Sequence, residues 1–146
     1  MMADLVRTGT STLPDMAAIR SQALQLTKGL RQKDQAAEID AINRFVRDQI
    51  RYVGDILGVE TLHTPAAVLI TRAGDCDDKA ILNAALLKSL GYSCRFIALD
   101  QGSGFCHVWT QVLLRGNWID LEPTEPLPTG QRVPVRRTDR LIYQAI

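Results

Sequence analysis

The stretch Gly74-Asp75-Cys76-Asp77-Asp78-Lys79-Ala80-Ile81-Leu82-Asn83-Ala84-Ala85-Leu86-Leu87-Lys88-Ser89-Leu90-Gly91 decides the fold. From Ala80 to Leu90 it is apolar on nearly every side, and a helix without a polar face is a buried helix. This segment is therefore expected to be the central element of the domain. Asp75 is a natural N-cap, and Asp78, three residues on, makes a capping-box-like pair with it. Gly91 marks the stop.

On the N-terminal side, Met1 to Pro14 reads as a flexible tail and Asp15 to about Leu30 as an amphipathic helix. Met16, Ile19, Ala23 and Leu26 share one face of it. Asp34 caps a second helix carrying Ile39, Ile42, Phe45, Val46 and Ile50, expected to end near Tyr52, where Gly54 and Gly58 loosen the chain. Thr64-Pro65 starts a short helix over Ala66 to Thr71. Beyond Gly91 the texture changes to strands: Cys94 to Leu99, Cys106 to Leu114, Trp118 to Leu121, and a last one within Val133 to Ile146. Arg115-Gly116-Asn117 supplies a tight turn. Helices first and an antiparallel sheet afterwards predict an α+β fold, with residues 15–146 as one domain.

Composition narrows the function classes. The chain has 146 residues, 46% hydrophobic and 23% charged, and 17 Lys+Arg stand against 16 Asp+Glu for a net charge of +1. That balance argues against a nucleic-acid partner. No apolar run approaches the roughly 18 residues of a membrane span, so no membrane partner is expected. Three cysteines cannot build a disulfide framework and suit a reducing, cytoplasmic setting. Neither they nor His63 and His107 show metal-ligand spacing, so neither a metal nor a cofactor is expected. Arg132, Arg136, Arg137 and Arg140 read as a solvated face, with an anionic partner as second choice, and His63 reads as a surface loop residue.

Cys76 falls in the first turn of the buried helix. Unpaired N–H groups and the dipole there favour a thiolate and can hold an oxyanion, whereas Asp75, Asp77 and Asp78 oppose the thiolate. The thiol therefore needs a histidine partner. Strand alternation puts His107, Trp109, Gln111 and Leu113 on one face. With a two-residue turn at Arg115-Gly116, Trp118, Asp120 and Glu122 share that face, and Glu122 is the diagonal neighbour of His107. Asp78 reads as a structural cap and Lys79 as solvated.

Gly74-Asp75-Cys76-Asp77-Asp78-Lys79-Ala80, then Leu90-Gly91 and Arg95-Phe96, resemble the core of the transglutaminase-like cysteine hydrolases. His107-Val108-Trp109 and Trp118-Ile119-Asp120-Leu121-Glu122-Pro123-Thr124 resemble that family's histidine and carboxylate segments. The similar block runs from about Thr64 to Thr124, in the family's order. The resemblance implies a papain-like arrangement, with Cys76 as nucleophile and His107 as general base and acid. The family's third residue is usually an aspartate. Here that place holds Glu122, with Asp120 as the alternative, and Trp109 and Trp118 are candidates to line the substrate cleft.

The expected activity is acyl transfer, by a cysteine peptidase or amide hydrolase acting on a peptide or protein. Compact domains of this type resemble ones encoded in bacterial and phage genomes. The competing expectation is a non-catalytic assembly protein that keeps the fold, for example a component of a phage particle. The change from Asp to Glu and the acidic surroundings of Cys76 speak for it. A phage-encoded chain of that kind would sit within the viral particle among assembly partners.

Overall fold

The computed structural model of the chain describes residues 13–56 and 61–146. Its elements run α1 (Leu13–Thr27), α2 (Gln35–Gln49), β1 (Arg51–Tyr52), α3 (Pro65–Thr71), β2 (Ala73–Gly74), α4 (Cys76–Ser89), β3 (Cys94–Asp100), β4 (Phe105–Leu114), β5 (Asn117–Leu121) and β6 (Arg140–Ala145). Most of the tail expected at the start of the chain, and Gly58, lie outside the described residues. The fold is α+β, as the order of elements predicts.

Helix α4 is the centre of the core, with Ala80, Ile81, Leu82, Ala84, Ala85, Leu86 and Leu87 fully buried. One side of it takes Ile19 and Ala23 of α1 and Ile39, Ile42 and Val46 of α2. The other takes the sheet face that carries Phe96, Val108, Val112 and Leu121. Thr110 Oγ1 on β4 donates to the Ala80 carbonyl at 2.9 Å, tying the sheet to the helix. Burying that much aliphatic surface at about 25 cal/mol per Å² is the main stabilisation. The helix α1 begins at Leu13 and ends at Thr27, earlier than expected at both ends, and Met16 is 46% exposed, so its apolar stripe is only Ile19, Ala23 and Leu26.

The sheet order is β5-β4-β3-β6, all antiparallel. Leu114 pairs with Asn117 across Arg115 and Gly116, both at positive φ (50° and 81°), as a type I′ turn requires. On the sheet face away from α4, Ile97, Leu99 and Trp109 form a smaller cluster with Val133, Val135 and Leu141.

One element departs from the sequence expectation in a way that shapes the site. Helix α2 stops at Gln49, because Ile50 turns extended at φ −102°, ψ 111°. Arg51 and Tyr52 then pair in parallel with Ala73 and Gly74. Arg51 N–H donates to the Arg72 carbonyl at 2.8 Å and Val53 N–H to that of Gly74 at 3.0 Å. Strands of two residues carry no alternation, so no periodic signal announces them. Their effect is to fix Tyr52 beside the residue pair that leads into Cys76.

Candidate active site

The start of α4 is built as anticipated from its sequence. Asp75 accepts from the Asp78 N–H at 3.0 Å, and Asp78 Oδ2 accepts from the Asp75 N–H at 3.3 Å, closing the capping box. A Cβ on Gly74 would lie 2.6 Å from the Asp78 Cβ, so only glycine allows this elbow. Asp78 also accepts from both the backbone N–H and the Nδ1 of His63, each at 2.8 Å. His63 is an exposed residue of the loop before α3, as expected, and these contacts make it that loop's tether.

Cys76 emerges from this turn into a cleft lined by Tyr52, Cys76, His107, Thr124 and Glu125. Strand register explains what meets its sulfur. Leu113 N–H donates to the Ser93 carbonyl at 2.9 Å, so odd-numbered N–H groups of β4 face β3 and even-numbered ones face β5. The last pair with β5 is Thr110 with Leu121. Val108 N–H therefore points where β5 has already left the sheet, and it turns to the Cys76 sulfur, favouring the thiolate. Opposing it, burial first and then Asp77 and Asp75 push the Cys76 thiol up to about 12. The thiol itself donates to Asp77 Oδ1 at 3.6 Å. Asp75 is pushed up to about 6, mainly by burial.

His107 Nε2 meets Glu122 Oε2 at 2.5 Å, and Glu122 is fully buried. The other carboxylate oxygen of Glu122 accepts from the Thr124 N–H at 3.0 Å. Both contacts hold the imidazole through Nε2 and leave Nδ1 without a hydrogen bond among the described residues. Asp120 goes elsewhere. Its Oδ1 accepts from Trp109 Nε1 and Gln111 Nε2, each at 2.8 Å. Between the two carboxylates considered for His107, the structure brings only Glu122 to the ring.

Neither tryptophan is among the residues that line the cleft, contrary to the expectation for Trp109 and Trp118. Trp109 is fully buried, its indole tied to Asp120 and its ring centroid 5.9 Å from that of His107. Trp118 stacks on the Arg95 guanidinium at 4.2 Å, on the sheet face away from α4. Lys79 corrects the reading further: it is 2% exposed, and its Nζ donates to the carbonyls of Pro123 at 2.9 Å and Arg47 at 3.2 Å. No sequence signal marks it, since Lys79 follows Asp77 and Asp78 and stands just before the apolar run that begins at Ala80. Tyr52 and Glu125 had no signal either, since a two-residue strand and a loop bring them in.

Among the described residues, no group of three or more His, Cys, Asp or Glu side chains is placed to hold a metal ion. No helix among them is long and apolar enough to cross a membrane.

Residues 22–123 match the family model of the transglutaminase-like superfamily, well over half of the chain. Among solved structures, a protein from Cytophaga hutchinsonii proposed to be a cysteine protease is similar at TM-score 0.64 and 17% identity. The match covers 88% of this chain and 47% of that one. A proposed protease from Parabacteroides distasonis gives TM-score 0.67 and 14% identity over 87% of this chain and 26% of its own. Legionella pneumophila LapG gives 0.58 and 17% over 85% of this chain and 71% of its own. The chain therefore spans about half of the first and about a quarter of the second. At these identities the likeness is one of fold. No curated protein matches the sequence.

Proposed function

Because the chain belongs to the transglutaminase-like superfamily, we propose that it is a thiol-dependent acyl-transfer enzyme, a cysteine peptidase or amide hydrolase. The observation that carries this reading is the buried Glu122 held on His107 Nε2 in the cleft that also holds Cys76. Glu122 fixes the imidazole's orientation and stabilises the cation that forms when Nδ1 takes a proton. With the resting thiol held neutral by burial and its acidic neighbours, His107 acts as general base during attack.

The thiol proton passes to His107 as sulfur bonds to the carbonyl carbon of a peptide or amide. The Cys76 N–H at the start of α4 faces the developing oxyanion. Collapse expels the amine, which takes the proton back from His107. Water then attacks the thioester, His107 again acting as base, and free Cys76 and a carboxylic acid result.

The acidic surroundings of the sulfur favour one second reading, an assembly protein in which the site is idle. Acylation by p-nitrophenyl acetate separates the two. The enzyme reading expects one acetyl group on Cys76, detected by peptide mass spectrometry, with acylation slowed by about 100-fold or more in His107→Ala. Acylation of Cys76 that ignores His107, or none at all, would overturn it in favour of the idle site.

A further inference from the structure

Three residues after Cys76, one turn along α4, sits a cation that the proposed chemistry does not use directly. Lys79 is the buried cation among the described residues, and it faces Glu122, which is buried without any exposure. Its two carbonyl acceptors lie on different elements: Arg47 in the last turn of α2, and Pro123 in the turn that follows β5. Pro123 stands between Glu122, which holds His107, and Thr124, which lines the cleft and whose N–H donates to Glu122.

We propose that Lys79 is a positioning residue of this site: its ammonium clamps the Glu122–Thr124 turn to the helix that carries Cys76, and its charge offsets that of Glu122. Two arguments lead there. Burying an ammonium costs several kcal/mol, so a lysine kept inside needs its donors and its charge used; here two carbonyls take its donors, and Asp48 and then Glu122 share its charge. Geometrically, the nucleophile and the carboxylate belong to different parts of the chain, α4 and the end of β5. Lys79 is the side chain that bonds the second to the first. Burial lowers the lysine's proton affinity, while Asp48 and Glu122 work to keep it charged. The groups that face the Glu122–His107 pair are then Lys79 from α4, Cys76 from its first turn, Glu125 from the loop and Tyr52 from β1.

The inference rests on the reading of Cys76 and His107 given above, so its test must fail separately. The rate of Cys76 acylation by p-nitrophenyl acetate is followed against pH in the wild-type chain, Lys79→Met and Lys79→Arg. Lys79→Met removes one positive charge from beside Glu122, so the cluster around His107 becomes more negative. The acid limb of the profile then moves to higher pH, by about half a unit or more. Lys79→Arg keeps the charge and returns the limb towards its wild-type position. A limb that stays in place in a folded Lys79→Met, moves to lower pH, or moves alike in both variants would overturn the inference. If the wild-type chain does not acylate at Cys76, the catalytic reading itself fails and takes this one with it. A second measurement needs no variant. Reductive methylation of the folded wild-type chain should leave Lys79 unmodified while the exposed Lys28 and Lys33 react. Labelling of Lys79 at their rate would remove the clamp.

Discussion

The first turn of α4 carries two buried charges of opposite sign on neighbouring residues, and the two flanks they serve are built differently. On one flank Asp78 gathers the His63 N–H, the His63 ring and the Asp75 N–H. Its ring partner, His63, is 48% exposed and can change charge near neutral pH. On the other flank Lys79 holds two carbonyls and faces Glu122, which in turn holds His107. That flank is sealed: the Lys79 and Glu122 side chains are 2% and 0% exposed. The His63 flank secures the elbow that presents Cys76. The Glu122 flank holds the imidazole in the cleft that the thiol shares. The difference implies that damage to the first costs mainly stability, and damage to the second mainly chemistry.

The largest expected effect tests the second half of that statement. Glu122→Gln keeps the shape but removes the charge that holds His107, and acylation of Cys76 should fall by about 100-fold. Asp120→Asn, which touches Trp109 and Gln111 instead, should cost less than about tenfold. Equal losses in stopped-flow acylation would erase the distinction between the two carboxylates. Next comes the stability half. Asp78→Asn leaves the His63 contacts short of a charged acceptor and should lower unfolding free energy by about 2 kcal/mol, read by urea denaturation. Acylation per folded molecule should change little. A variant that is stable but inactive would place Asp78 with the chemistry.

A smaller effect concerns the sulfur between the flanks. Burial sets most of its protonation, but Asp77 and Asp75 add to it, Asp77 more strongly. Asp77→Asn should bring the thiol down from about 12, and Asp75→Asn, which remains a good N-cap, should bring it down less. Thiolate absorbance followed against pH reads both. A titration that neither variant moves would leave burial as the sole cause.

How much of this was legible in the sequence follows from the range over which each contact acts. The capping box at Asp75 and Asp78 and the hairpin at Arg115-Gly116 are local, and their residue types specify them within a few positions. Glu122 followed from counting the register back from that hairpin. Burial of Lys79 was not legible, because its partners are main-chain carbonyls 32 and 44 residues away, and carbonyls leave no mark in a sequence. The β1–β2 pair escaped for want of length, and with it the place of Tyr52. Trp109 and Trp118 are candidates for the cleft in the sequence because they share the strand face of His107, but sharing a face does not fix what a side chain packs on. That face carries its own small apolar cluster, which claims Trp109, while Arg95 takes Trp118.

The smallest expected effect bears on the exposed member of the Asp78 flank. The hydrogen bond from His63 to Asp78 raises the His63 pKa above its ordinary value, with the charge of Asp78 adding to it. A raised histidine contributes stability that is complete below the unfolded value of about 6.5 and is lost as pH rises through the folded one. The flank should therefore loosen slightly towards alkaline pH. Asp75 does not confuse the window, since its raised pKa of about 6 places its own loss of stability between about 4 and 6. Half-exposure screens the His63 pair, so the melting temperature should fall by no more than a few degrees between pH 6.5 and 8.5. His63→Gln, which cannot titrate, should flatten that decline while leaving acylation of Cys76 intact. If the wild-type and variant curves run parallel across the window, His63 holds its loop as a neutral donor. The two flanks would then differ only in which partners they bind.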